Sequence, residues 1–387
     1  MTAAKSNSLV ARLSPPPIPS VVAWGREYKG QKGPLIDLSQ AVPGYPAHPE
    51  MLRLLGETAG QQAMTGYGPI EGEPLLRNAY AAHVAELYGA DISAANIHIT
   101  AGCNQAFMCA AIALAGAGDT VALTNPFYFN HDTTLSMLGI GRRLVDCDPV
   151  AGFLPDLGSA EAALAAGAKM LAVVTPNNPT GAVYPPDLLY ALFTLCRKHG
   201  AWLVVDETYR DFLAEDYGRP HALLSKPGWE DTLVLLYSFS KSFCIPGHRL
   251  GAVTAGPKLV AEIAKVMDNM QICAPRSAQI AVASALPVLA DWRAGNRLEI
   301  ARRAEALRRA FSGLAGWEIA AIGAYFAFVR HPLADRSSSE VAEDLARERG
   351  VVCIPGAYFG EGQERYLRLA FANADVASIG LLPDRLR

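Results

Sequence analysis

Charge is scarce in this sequence. Charged residues make up 18% of its 387 positions, and 34 Lys and Arg face 37 Asp and Glu, for a formal net charge of -3. No basic surplus is available to neutralise phosphates along a strand, which argues against nucleic acid as the main partner. The seven cysteines, at 103, 109, 147, 196, 244, 273 and 353, form no CxxC pair. Their scatter speaks against a zinc site and a disulfide framework, and points to a reducing, cytoplasmic setting. A Walker loop (GxxxxGK followed by Ser or Thr) is absent, and no GxGxxG follows a strand pattern, so neither nucleotide fingerprint applies. The N-terminal segment lacks the continuous apolar region of a signal peptide. Its run Ser14-Pro15-Pro16-Pro17-Ile18-Pro19 predicts an extended arm instead. The uncharged stretch from Ile99 to Gly118 is interrupted by Asn104, Gln105 and glycines. It reads as a turn entering a buried helix, not as a membrane span. No internal repeat is visible.

What the chain does have is apolar bulk. Hydrophobic residues account for 51% of it, enough for a large core and, at this length, two domains. Between about 96 and 256, short apolar runs end in turn or polar residues, often followed by helical segments. The runs are 96–100, 120–124, 171–175, 202–206, 233–237 and 250–254. Near-continuous apolar strands separated by helices predict an α/β fold with a mostly parallel sheet covered on both faces. A long helical pattern, interrupted at Pro287, runs from Ser277 to about Leu314. Beyond it, strand patterns at 325–329, 351–354 and 366–371 and a helix at 339–348 predict a smaller α+β domain. The expected division is an N-terminal arm with part of the small domain at 1–48, a large domain at 49–285 and a small domain at 286–387.

In parallel sheets of this kind ligands bind beyond the carboxyl ends of the strands, so the polar residues ending each run are the candidates. Ser238-Phe239-Ser240-Lys241 follows one buried run, with Arg249 eight residues on. Burial and a neighbouring cation both lower a lysine pKa, and a neutral amine attacks a carbonyl. Arg249 and Ser238 can hold a phosphate. Together they outline a site for pyridoxal phosphate, a carbonyl cofactor carrying a phosphate; a surface lysine with Arg249 in an ordinary salt bridge is the competing reading. Asp206 ends another run and needs a cationic partner, for which a protonated pyridine nitrogen would serve; alternatively it caps the next segment. Tyr209 lies three residues further. Asn178 sits in a proline-fixed loop, Thr175 to Gly181, as a donor to a ligand or as plain turn chemistry. Gly102-Cys103-Asn104 opens a helix whose free N–H groups suit an anion, with a simple N-cap by Asn104 as the alternative. Tyr128 can stack on a planar ring or pack in the core. Arg368, inside an apolar strand, must pair with something: a substrate carboxylate, or a structural partner.

Taken as an ordered set, Tyr67-Gly68, Gly102-Cys103-Asn104, Asn178-Pro-Thr-Gly181, Asp206-x-x-Tyr209, Ser238-x-Ser-Lys241, Arg249 and Arg368 resemble the fold-type I pyridoxal-phosphate enzymes of the class I/II aminotransferase family. The resemblance spans about Ile36 to Phe371. It implies a seven-stranded, mostly parallel sheet and an amino-group transfer from an L-amino acid to a 2-oxo acid. It makes Lys241 the internal-aldimine lysine and proton shuttle, and Asp206 the partner of the ring nitrogen. Asn178 and Tyr209 would contact the ring oxygen, and Tyr128 would stack on the ring. The 102–104 turn, Ser238 and Arg249 would hold the phosphate, with Tyr67 reaching it from a neighbouring subunit of a homodimer. Arg368, helped by Asn178, would clamp the α-carboxylate. The chain departs from the pattern at Ala41, where relatives usually carry Gly near the substrate, and at Cys103, where a smaller or hydroxylic residue is usual. No second arginine for a dicarboxylic side chain can be assigned between Asp268 and Arg276, and Asp268 could instead favour a cationic one. The same residues would also serve a β-eliminating lyase. A non-catalytic sensor would need a DNA-binding segment for which the N-terminus offers no helix-turn-helix.

Overall fold

The computed structural model describes residues 5–387. Fourteen strands are present among them: β1 Ile36–Asp37, β2 Ile97–Thr100, β3 Thr120–Asn125, β4 Gly141–Asp148, β5 Leu154–Pro155, β6 Met170–Val174, β7 Trp202–Asp206, β8 Leu233–Ser238, β9 Gly251–Thr254, β10 Glu318–Gly323, β11 Phe326–Arg330, β12 Val351–Val352, β13 Ile354–Pro355 and β14 Tyr366–Leu369. The large sheet has the order β2-β9-β8-β7-β6-β3-β4-β5. Neighbours from β8 through β4 are parallel, while β9 runs antiparallel to both β8 and β2. The expected seven strands are extended at one edge by the two-residue β5. Every residue of β2, β6, β8 and β9 is buried; β6 and β8 are near-continuous apolar runs, while β2 and β9 also bury His98, Thr100 and Thr254.

The second sheet is antiparallel, in the order β10-β11-β14-β13, and β1 pairs in parallel with β12 beside it. Its core draws on the helices Ala290–Phe311 and Ser338–Arg349 through Ile300, Leu307, Val341 and Leu345. The helical pattern after Ser277 resolves into two helices, Arg276–Val288 and Ala290–Phe311, with Leu289 between them. Leu286 and Leu289 pack in the core of the large sheet, whereas Ile300 packs in the other. No helix among the described residues is long and apolar enough to cross a membrane.

One expectation fails here. The proline-rich N-terminus is not an extended arm: residues Ser8–Ala11 and Pro17–Glu27 are helical. Pro17 and Pro19 fall in the first turn of the second helix, where a missing N–H leaves no intrahelical bond unmade. Val21 and Gly25 of this helix are buried, and a Cβ at Gly25 would meet Val352 at 2.6 Å.

Candidate active site

The carboxyl ends of β6, β7 and β8 deliver the central residues to one edge of the large sheet. Beyond β8, Ser238 caps a single helical turn, Phe239–Ser242, by accepting from the Ser240 N–H at 3.3 Å. That turn is fastened from behind. The Tyr237 hydroxyl lies 2.7 Å from Ser242 Oγ and donates to Asp211 at 2.6 Å. Lys241 therefore projects from a fixed base, and its Nζ donates to the carbonyl of Ala41. Burial, and then the cations of Arg249 and Arg368, push the Lys241 pKa down to about 8.

Asp206, the last residue of β7, is buried, and no Lys or Arg pairs with it among the described residues. Burial alone would raise its pKa, but His131 and Thr208 outweigh burial and hold the carboxyl below its usual range. The Thr208 N–H donates to Asp206 Oδ1 at 2.9 Å, and His131 Nε2 lies 3.5 Å from Oδ2. His131 stacks on Phe107 with ring centroids 3.8 Å apart. The sequence reading missed His131. Its signal was the spacing from Tyr128, three residues and one helical turn away on Phe129–Leu138.

After β2, Gly102 precedes the helix Cys103–Leu114 with no side-chain cap. Asn104 is inside the helix and caps nothing, so the capping alternative falls. Gly102 has φ +90°, and a Cβ there would come within 2.2 Å of Arg249 Nη2. Only glycine allows the guanidinium to lie this close to the turn. Arg249 itself adopts φ +49° and donates to the Pro246 carbonyl at 2.9 Å. Uncapped helix N–H groups and a guanidinium thus face the same space. Nearby, the buried Ser240 hydroxyl has no hydrogen-bond partner among the described residues, another group the sequence reading passed over.

In the loop after β6, Asn177 is structural. Its side chain accepts from Thr180 N–H at 3.1 Å and donates to the Val174 carbonyl at 3.2 Å. Gly181, at φ +81°, lets this loop approach the β10–β11 hairpin; a Cβ would meet Gly323 N at 2.3 Å. Asn178 is thereby presented to Arg368 on β14, whose Nη1 donates to Asn178 Oδ1 at 2.9 Å. Arg368 Nη2 donates to the Ser39 carbonyl, and Nε has no partner among the described residues. The guanidinium lies between the rings of Phe326 (5.0 Å) and Phe359 (5.2 Å). Burial depresses its pKa to about 10.

A cavity of about 430 Å³ joins these parts, and Ala41, Cys103, Asn104, Tyr128, Asn178, Asp206, Tyr209, Ser238, Lys241, Arg249 and Arg368 line it. The Tyr128 hydroxyl accepts from Asn130 at 2.8 Å, and burial, together with Asp206, pushes its pKa up to about 12. Tyr67 is elsewhere: it is 80% exposed and does not line its own chain's cavity. The turn before it is held by Arg276, which donates to the carbonyls of Ala63 (2.7 Å) and Gly66 (3.1 Å) and pairs with Glu73 at 2.5 Å. Arg276 is therefore committed to structure, and Asp268 stands exposed outside the cavity.

Residues 33–386 match the family described as aminotransferase class I and II. The chain belongs to that family. As a class I/II aminotransferase it depends on pyridoxal phosphate and acts on amino acids and oxo acids. It is similar to an aspartate/prephenate aminotransferase of Thermus thermophilus, 30% identical over 373 residues covering 95% of this chain and 94% of the relative. It is also similar to an aromatic aminotransferase of Arabidopsis thaliana, 29% identical over 359 residues covering 91% and 89%. A solved double mutant of Thermus thermophilus aspartate aminotransferase superposes with a TM-score of 0.89 at 25% identity, covering 99% of each chain. The aminotransferase cavity fits the cofactor on its own evidence. It offers a buried carboxylate with no Lys or Arg partner, an unpartnered buried hydroxyl and an uncapped helix start beside an arginine.

Proposed function

We propose that the residues around Lys241 carry out transamination between an L-amino acid and a 2-oxo acid, in a homodimer whose sites are shared. The observation that carries this reading is Arg368, a guanidinium only 2% exposed whose partners among the described residues are the neutral Asn178 Oδ1 and the Ser39 carbonyl, with no carboxylate. A buried charge in that state calls for an anion, and the forked donor suits a substrate α-carboxylate. Asn178 orients the fork through its 2.9 Å bond.

The other residues divide the work by charge. Arg249, Ser238 and the 102–104 turn hold a phosphate. Asp206, kept ionised by His131 and Thr208, would hold a proton on a ring nitrogen. Tyr128 would pack against the ring, and Tyr209 and Asn178 would hold its oxygen. When bound, pyridoxal phosphate supplies a carbonyl to receive the amino group and a ring to take up the α-carbon's electron pair. Lys241, with a pKa near 8, is poised to take a proton from the α-carbon and return it elsewhere.

The exposed Tyr67, on a turn fixed by Arg276, supports a role in a second subunit's phosphate site. All seven cysteines are unpaired, which supports a cytoplasmic location. The separate cores support a large domain that begins near 49 and a small domain that takes in part of residues 1–48, with the later boundary nearer 290 than 285, because Leu286 and Leu289 pack with the large sheet and Ile36, Leu38 and Ile300 with the small one. The test is Lys241→Ala: turnover and the cofactor's lysine-linked visible absorbance should both vanish, and persistent turnover would rule the reading out. Product analysis of the unmutated enzyme should give one new amino acid per oxo acid formed; ammonia with no acceptor consumed would indicate elimination instead.

A further inference from the structure

The helix Ala290–Phe311 starts beside Leu289, in the core of the large sheet, and carries Ile300 and Leu307 into the core of the small one. Two of its arginines clip it, one to each domain. In its first turn, Arg293 pairs with Asp211 at 3.6 Å, and its guanidinium lies 5.2 Å from the ring of Phe243, two residues after Lys241. Asp211 accepts from the Tyr237 hydroxyl at 2.6 Å, and that hydroxyl lies 2.7 Å from Ser242 Oγ. The turn that bears Lys241 is thereby joined to the start of the helix. Ten residues on, the buried Arg303 donates from Nη1 to the Ala372 carbonyl at 2.6 Å and from Nε to Glu299 at 2.8 Å. Ala372 lies four residues after Arg368, in the short turn Phe371–Asn373 that follows β14. The fit there is close: the same carbonyl accepts from the Gly44 N–H at 2.9 Å, and a Cβ at Gly44 would meet Arg303 Nη1 at 2.7 Å.

Lys241 and Arg368 therefore stand on different domains, yet one must take a proton from the α-carbon whose carboxylate the other holds. Misplacement by about 1 Å is enough to slow such a step strongly. A helix is stiff along its axis, and ten residues of it span about 15 Å. We infer that this helix is a strut that sets the spacing between Lys241 and Arg368, with Asp211, Arg293 and Arg303 as positioning residues. Every contact in it is made within one chain. The inference rests on the aminotransferase reading, because it takes Lys241 and Arg368 as acting on one substrate.

The test compares Arg293→Met, Arg303→Met and the double variant in single turnovers of the holoenzyme, with whichever common amino acid the unmutated enzyme converts fastest. Each single variant should lower the maximal rate roughly tenfold and move the half-saturating concentration by less than about threefold, because the binding groups themselves remain. Independent local effects would multiply to roughly a hundredfold in the double variant, whereas a strut released at one end has little more to lose at the other, so the double loss should stay near roughly tenfold. Losses that multiply, or single losses below about twofold, overturn the strut. Asp211→Asn keeps an oxygen acceptor and should recover most of the rate that Asp211→Leu loses; equal losses remove Asp211 from the device. Amide hydrogen exchange of the holoenzyme reads the same coupling without turnover. Arg303→Met should speed exchange at residues 239–245, and Arg293→Met at residues 370–374, the far end in each case. A far end that does not respond overturns the strut. A Met variant that does not fold is replaced by Gln at the same position, which keeps one N–H donor and should show the same pattern at smaller size. No conversion of any amino acid by the unmutated enzyme, with the far-end exchange responding, strikes the aminotransferase reading and leaves the strut standing.

Discussion

Replacing Arg368 by Met removes the guanidinium while keeping an unbranched apolar stem between Phe326 and Phe359. Two effects on stability oppose each other. The Arg368 pKa is depressed to about 10, so below that pH the folded, substrate-free protein holds its charge at a penalty. From the ordinary value near 12.5, that penalty is roughly 3 kcal/mol, and Met relieves it. Against this, the Ser39 carbonyl and Asn178 Oδ1 lose their donor, at roughly 1–3 kcal/mol each. The terms are of equal size, so Tm should move by only a few degrees. Activity has no such compensation. Losing a buried charge-assisted clamp is worth roughly 3–5 kcal/mol, or about two to nearly four orders of magnitude in kcat/KM. The assay is steady-state kinetics with parallel thermal melts and cofactor titration. Arg368→Lys should recover little, because a point charge does not reproduce the fork. A kcat/KM loss below tenfold, or a loss explained by weakened cofactor binding, would refute the assignment.

Three further outcomes follow from the same geometry. His131→Phe deletes the main group holding the Asp206 carboxyl down, so its pKa rises; the acid limb of kcat/KM should move to higher pH, and an unmoved limb would dismiss the coupling. Gly102→Ala places a Cβ 2.2 Å from Arg249 at a positive φ, and should cost roughly 1–3 kcal/mol in melts and weaken the protein's hold on pyridoxal phosphate and on inorganic phosphate alike. In the cofactor-free protein the Lys241 amine is protonated below about pH 8 and neutral above it. The rate of pyridoxal-phosphate capture should therefore climb through that pH and level off, and a rate flat from pH 6 to 9 would contradict the shift.

How legible was this molecule in its residues? The strands that position the site were readable because they are buried on both faces, so β6, β7 and β8 carry unbroken apolar runs. β4 was not, because Arg142 and Arg143 interrupt it on an exposed edge where only β3 and the short β5 support it. The N-terminal prolines misled because a helix start tolerates what a helix interior forbids. Within the site, residues ending a strand were found, since strand ends are where the fold places ligands. His131 and Ser240 were missed because their roles depend on contacts that no local pattern encodes: an imidazole reaching Asp206 across the sheet edge, and a hydroxyl left without a partner. Asn177 and Asn178 are alike in the local pattern, and it was the family resemblance that singled out Asn178. The turn supplies the physical reason: Asn177 closes the loop and Asn178 faces Arg368.

The alternation of side chains at the end of β7 explains why so much of the charge lies behind the cavity and not in it. Asp206 faces the cavity, and Glu207 faces away, as successive residues leaving a strand do. Glu207 accepts from Tyr88 at 2.6 Å and meets His221 at 3.0 Å and Arg210 at 3.4 Å. The Arg210 guanidinium stacks 4.2 Å from the Tyr237 ring, and the Tyr237 hydroxyl binds Asp211 and lies beside Ser242. That chain of contacts runs from the residue after Asp206 to the residue after Lys241. It therefore ties the ends of β7 and β8 together from the rear, independently of anything bound in front. If Lys241 and Asp206 act on one ligand as proposed, they must keep a fixed separation while that ligand changes charge. A hydrogen-bonded network buried behind them secures that separation without placing a further charged side chain among the cavity's lining residues.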